Sequence, residues 1–203
     1  MSTLAEALRP RFARGPAGTV VPARIGVHVY DILLVLAGSA LIALSAQVAV
    51  PLPFSPVPVT GQTFAVLLVG AALGSRRGAG AVMAYLAEGA AGLPVFAGGL
   101  AGPAVLLGPT GGYLFGFLPA AWICGALAER GWDRHVLGTL AAMTAGDLAI
   151  FAVGVPWLAR FVGWENALAF GVLPFLAGNA AKIVLAAGVL PVAWRCVRRT
   201  RGR

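Results

Sequence analysis

The sequence predicts an all-α integral membrane protein with six transmembrane helices and both termini in the cytoplasm. Three observations predict it. Of 203 residues, 59% are apolar and only 11% are charged, whereas a soluble domain runs at about 45–50% apolar and about 25% charged. Mean hydropathy is +0.87, and so few charges cannot cover the core of a water-soluble particle. Six spans of about 20 residues occupy roughly 120 positions and leave roughly 80 for ends and loops. The third observation is the placement of charge. Fourteen of the fifteen basic residues are Arg, in short runs between apolar stretches. That pattern follows the positive-inside rule and argues against a nucleic-acid surface, despite the net charge of +8.

The first apolar run spans about Asp31 to Val50 and ends at Pro51, where four prolines in PLPFSPVP forbid a helix. A second, short run covers about Thr63 to Leu73 and closes at Gly74, followed by Arg76 and Arg77. The third spans roughly Ala79 to Ala90. The stretch GLPVFAGGLAGPAVLLGPTGG that follows carries too many breakers for a regular span. The fourth helix runs from about Gly112 to Ala128, the fifth from Val136 to Val155 before Pro156, and the sixth from Leu173 to Trp194.

Six spans with both ends inside place thirteen of the fourteen arginines on the cytoplasmic side; only Arg160 falls in an outer loop. An odd number of spans would put the two terminal Arg clusters on opposite sides. The outer loops are then the Pro-rich segment, the Gly/Pro-rich segment and the region from Trp157 to Asn166, and function is expected at that face. The chain reads as one membrane domain: a basic segment 1–28, a bundle over about 29–195, and a basic tail 196–203. Arg9, Arg11, Arg14 and Arg24 precede the bundle without an apolar h-region, so no cleaved signal peptide is expected. Cys124 and Cys196 form no CxxC and have no His at zinc spacing, which reads as ordinary packing.

Small residues recur at helix-packing spacing: Ser39 and Ala43; Gly70, Gly74 and Gly78; Gly112 and Gly116; Ala142 and Gly146. Most are expected to pack within the bundle. Ser39 and Ala43, on the first helix, are also candidates for a face that docks a partner.

A charge inside a span is costly, about 2.5–3.5 kcal/mol at a helix centre, so each one is informative. Lys182 is the chain's single lysine and lies near the middle of the sixth run, with Asn179 one turn earlier on the same face. Asp147 is near the middle of the fifth helix, and Glu88 is near the outer end of the third. Lys182 and Asp147 either pair to hold two helices together or line a ligand site; Glu88 either does likewise or is simply hydrated. There is no GxxxxGK[ST], because the lone lysine is followed by Ile183, and no HExxH or GxSxG. Nothing assembles a nucleophile with a base, so no enzyme and no cofactor are expected. One cation, an amide and one or two carboxylates beneath Pro- and Gly-rich loops suit capture of a small amphipathic molecule that carries a carboxylate and a polar group.

The strings PLPFSPVPVTGQTFAVLLVGAALGSRRG, YLAEGAAGLPVFAGG, LLGPTGGYLFGF and LPFLAGNAAK together resemble the BioY family, the biotin-specific S components of energy-coupling factor (ECF) transporters. The resemblance covers about residues 30–190. It implies a six-helix S-component bundle in the cell membrane, biotin held near the extracellular side, and partnership with a transmembrane T subunit and a pair of ATPases. It departs in one place. Where the family shows Gly-Asp-x-x-Lys, this chain has Gly178, Asn179, Ala180, Ala181 and Lys182, so one negative charge beside Lys182 is missing, and Asp147 or Glu88 is a candidate to replace it. The site residues expected are Lys182 and Asn179 for hydrogen bonds to the ligand and Asp147 and Glu88 for its ureido N–H groups. Tyr85, Phe96, Tyr113 and Trp157 are expected as apolar walls, and Gln62 in a loop that closes over the ligand. Two other classes stay open: a self-sufficient transporter or facilitator, and a small membrane enzyme.

Overall fold

The computed structural model describes residues 3–7 and 23–201, with side chains described within 3–7 and 28–197. The expected features on residues 8–22, including Arg9, Arg11 and Arg14, lie outside the described residues. A short helix α1 (Leu4–Ala7) precedes the long α2 (Ala23–Ala46). Then come strands β1 (Ala49–Leu52) and β2 (Ser55–Thr60), and helices α3 (Gln62–Leu73) and α4 (Ser75–Ala90). A 3-10 turn at Ala97–Gly99 and the short α5 (Pro103–Leu107) lead to α6 (Gly111–Glu129). A second 3-10 turn at Trp132–Arg134 is followed by α7 (Val136–Val162), α8 (Trp164–Gly171) and α9 (Leu173–Arg201).

Helices dominate, as composition demands, but the all-helical expectation needs correction. The Pro-rich segment folds into an antiparallel hairpin, with Ala49 opposite Thr60, Val50 opposite Val59 and Leu52 opposite Ser55. In a two-stranded ribbon each strand has one unpaired edge, so prolines that cannot donate are tolerated there. The fifth helix does not stop before Pro156: it continues seven residues past Val155, to Val162, with Pro156 inside it. Loss of one backbone bond near a helix end is survivable when the following turns pack against neighbours. The third loop contains α8. Arg76 and Arg77 lie in the first turn of α4, and α9 extends into what reads as a basic tail.

Four stretches among the described residues are long and apolar enough to cross a membrane: His28–Ala46, Gly111–Glu129, Val136–Val162 and Trp164–Val197. At 1.5 Å per residue, the 12-residue α3 is about 18 Å long and falls short of a bilayer core of about 30 Å.

The bundle has two chemically distinct ends. At one, the turn from α3 to α4 is a single Gly74 with φ 89°. There the Ser75 N–H and hydroxyl both donate to one Glu129 carboxylate oxygen, at 2.8 and 2.9 Å, so α6 caps the start of α4. Arg77 meets Asp31 of α2 at 3.0 Å. The Trp194 indole of α9 donates to Asp133 in the turn between α6 and α7. These contacts bring Arg76, Arg77, Arg130, Arg134 and Arg195 to the same end. The opposite end carries the hairpin, the segment 91–110 and α8.

Between the ends, small residues bring helix backbones close. A Cβ on Gly70 would lie 2.5 Å from the Ala121 carbonyl oxygen, and one on Gly78 would lie 2.8 Å from the Gly70 Cα. This seam of α3, α4 and α6 is lined by Val66, Val82, Ala120, Ala121 and Cys124, all buried. Ser39 belongs to the interior as well: it is fully buried and its hydroxyl donates to Glu88 at 2.6 Å. It therefore faces α4, not an outer docking surface, while Ala43 is partly buried against the core. Docking through these two residues does not fit that burial.

Candidate binding site

A solvent-open cavity lies at the hairpin end. Its lid side is Pro56, Val57 and Pro58 of β2; its flank is Phe96, Ala97 and Leu100 of the turn that follows α4. Tyr113, Leu114 and Phe117 of α6 and Ile150 and Phe151 of α7 complete an apolar wall. Phe175, Asn179 and Lys182 on α9 recur at helical spacing and present one face to it.

The polar groups gather on one side. The Lys182 ammonium donates to the Thr60 carbonyl and the Thr63 hydroxyl, each at 2.8 Å, and to the Asn179 side-chain oxygen at 3.2 Å. The other end of the Asn179 amide donates to Asp147 of α7 at 2.7 Å. Asp147 is buried and stands behind Asn179, outside the cavity lining. One ammonium thus joins the end of β2, the first turn of α3 and α9, and an amide extends the network to α7.

The apolar walls are held by their own contacts. Gln62 lines the cavity and its side chain is fixed at both ends: the oxygen accepts from the Thr60 hydroxyl at 3.0 Å and the amide donates to the Tyr85 hydroxyl. Tyr85 is fully buried behind it and meets Phe96 edge to face, ring centroids 5.5 Å apart. Tyr113 donates to the Gly171 carbonyl at 2.8 Å, tying the cavity wall to the end of α8. Trp157 does not line the cavity; its indole donates to the Gly108 carbonyl at 2.9 Å and braces the end of α5. Ser55 fastens the hairpin to α8 by donating to the Phe170 carbonyl at 2.8 Å.

Of the nine expected site residues, the cavity wall therefore contains Lys182, Asn179, Phe96, Tyr113 and Gln62. Asp147 and Tyr85 form a supporting layer. Glu88 is committed to Ser39 instead. Thr60, Thr63, Phe151 and Phe175 also line the wall and carry no sequence signal that separates them from ordinary hydroxyl or core positions. Among the described residues no group of three His, Cys, Asp or Glu side chains is placed to hold a metal.

Residues 18–199 match the model of the BioY family. The probable biotin transporter BioY of Pyrococcus horikoshii is 40% identical over 156 residues, covering 77% of this chain and 91% of that protein. The biotin transporter BioY of Thermotoga maritima is 43% identical over 150 residues, covering 73% and 86% respectively. Among solved structures, the crystal structure of the S-component for biotin from an ECF-type ABC transporter is similar with a TM-score of 0.74. Its identity is 27%, and the match covers 88% of this chain and 94% of that one.

Proposed function

The chain belongs to the BioY family, and on that premise we propose that it captures biotin at the outer face of the cell membrane and delivers it inward as the S component of an ECF transporter. It is a multi-pass membrane protein with an S-component-like fold, and its relatives are named transporters, not enzymes. A T subunit and a pair of ATPases supply the energy, which agrees with the absence of a GxxxxGK[ST] motif in the sequence.

The observation that carries the reading is the division of the cavity into a broad apolar wall and one polar side at Asn179 and Lys182. Biotin carries both kinds of surface: an apolar thioether ring and aliphatic chain lie between a cyclic ureido group at one end and a carboxylate at the other. A wall of Phe, Tyr, Val and Ile side chains takes up the apolar parts, and a few convergent polar groups fix orientation. Closure by the hairpin and the segment around Phe96 excludes water and strengthens those polar contacts. We read six membrane-crossing helices, with α3 and α4 as the short pair. Both termini face the cytoplasm, because the arginines of the connections and of α9 gather at the end away from the cavity.

The test of coupling is uptake of radiolabelled biotin into proteoliposomes. Accumulation is expected only when the T subunit, the ATPases and internal ATP are present together with this chain. Concentrative uptake by this chain alone would contradict the proposal and favour a self-sufficient transporter.

A further inference from the structure

Asp147 is buried in the interior of α7, one amide away from the chain's single lysine. The three side chains form a line: the Asp147 carboxylate accepts from the Asn179 amide at 2.7 Å, and the Asn179 oxygen accepts from Lys182 at 3.2 Å. An ammonium only donates and an ionised carboxylate only accepts. A single orientation of the amide satisfies both neighbours, with its NH2 toward α7 and its oxygen toward Lys182. The other acids are engaged elsewhere or lie away from the cavity: Glu88 accepts from Ser39, Glu6 and Asp31 pair with Arg77, Glu129 accepts from Ser75 and Asp133 accepts from Trp194. Glu165 sits in the first turn of α8. Asp147 is thus the carboxylate placed to balance Lys182.

Resting on the biotin-binding reading, we propose that Asp147 is a positioning residue for the site: through Asn179 it supplies the counter-charge of Lys182 and fixes which end of the amide faces the cavity. The carboxylate sits on α7 and the amide on α9, and because the line is continuous the two groups are exchangeable. With the acid at 179 and the amide at 147, the carboxylate would lie directly beside Lys182 and accept the amide N–H from α7. The charge would be conserved and every donor would keep an acceptor. Neither single change does this. Asp147→Asn leaves Lys182 without a carboxylate, and Asn179→Asp sets two carboxylates against each other in a buried site.

The experiment is a four-protein cycle of wild type, D147N, N179D and the double variant D147N/N179D, each purified in detergent. Two quantities are read: biotin affinity by calorimetry and the melting temperature without biotin. Each single variant is expected to bind about tenfold or more weakly, and the double variant to recover most of the lost affinity. Recovery is a non-additive, pairwise signature that two independent structural defects would not produce. Folded D147N with wild-type affinity would overturn the proposal, as would a double variant as weak as the weaker single. If wild type itself fails to bind biotin, the functional reading falls. The line is then judged on melting temperature, where reciprocal loss and recovery support it and additive losses overturn it.

Discussion

At the scale of single residues, the proposal turns on Lys182 and on the fit of Phe96. All three of the Lys182 hydrogen bonds go to groups at the cavity's polar side. Lys182→Met keeps an unbranched apolar stem one atom shorter and removes charge and donors. It is expected to weaken biotin binding by about a hundredfold or more while the protein still purifies as a folded monodisperse sample; unchanged affinity would remove Lys182 from the site. Phe96 is held by a residue without a side chain. A Cβ on Gly89 would overlap the tip of the Phe96 ring, so Gly89→Ala must displace a ring that lines the cavity, an overpacking cost of about 1–3 kcal/mol. Calorimetry should show weaker binding, and Phe96→Leu in that background, which removes the ring tip, should restore part of it. Lys182 and Asn179 were legible in the sequence because a lone lysine in an apolar run, one helical turn from an amide, stands out. The link to Asp147 was an open alternative in the sequence, beside Glu88, since residues 32 positions apart on different helices meet only through packing. Glu88 was the other candidate counter-charge in the sequence, and in the fold it accepts from Ser39 while Asp147 accepts from Asn179.

At the scale of elements, the turn between α6 and α7 is pinned to α9 by a buried acid. Asp133 is 1% exposed; one oxygen accepts from Trp194, the other has no hydrogen-bond partner among the described residues, and Arg134 stacks on the same indole at 4.5 Å. Burial raises its carboxyl above the ordinary carboxylate range, against the opposing pull of the Trp194 N–H and Arg134. The folded state therefore holds this proton to higher pH than the unfolded chain, whose value is about 3.9. The group's contribution to stability is present at low pH and is lost as pH rises through the folded value. Melting temperatures of wild type and Asp133→Asn should accordingly differ most near neutral pH, with the variant higher, and converge toward about pH 4. A gap independent of pH would count against the assignment. Element boundaries followed the sequence where breakers flank an apolar run: α3 starts and ends within one residue of expectation because Gly61 and Gly74 bracket it. They failed at Pro156, where packing overrides propensity. They failed also in the hairpin, because alternating prolines rule out a helix without specifying the strand pairing that replaces it.

At the scale of the whole molecule, the bundle separates an arginine-rich end from an end built of loops, a hairpin and a cavity. Charge distribution alone predicted that polarity. Net composition sufficed for membrane class, and the order of four sequence strings sufficed for family. The division of labour around the cavity, with five of the expected residues on the wall and two behind it, required the fold. The central claim is that this single chain contains a complete biotin site. Its most direct test is calorimetric titration of biotin into the purified wild-type chain in detergent, with no T subunit or ATPase present. The account predicts tight binding of one biotin per chain. Absence of binding by the isolated, folded chain would contradict it.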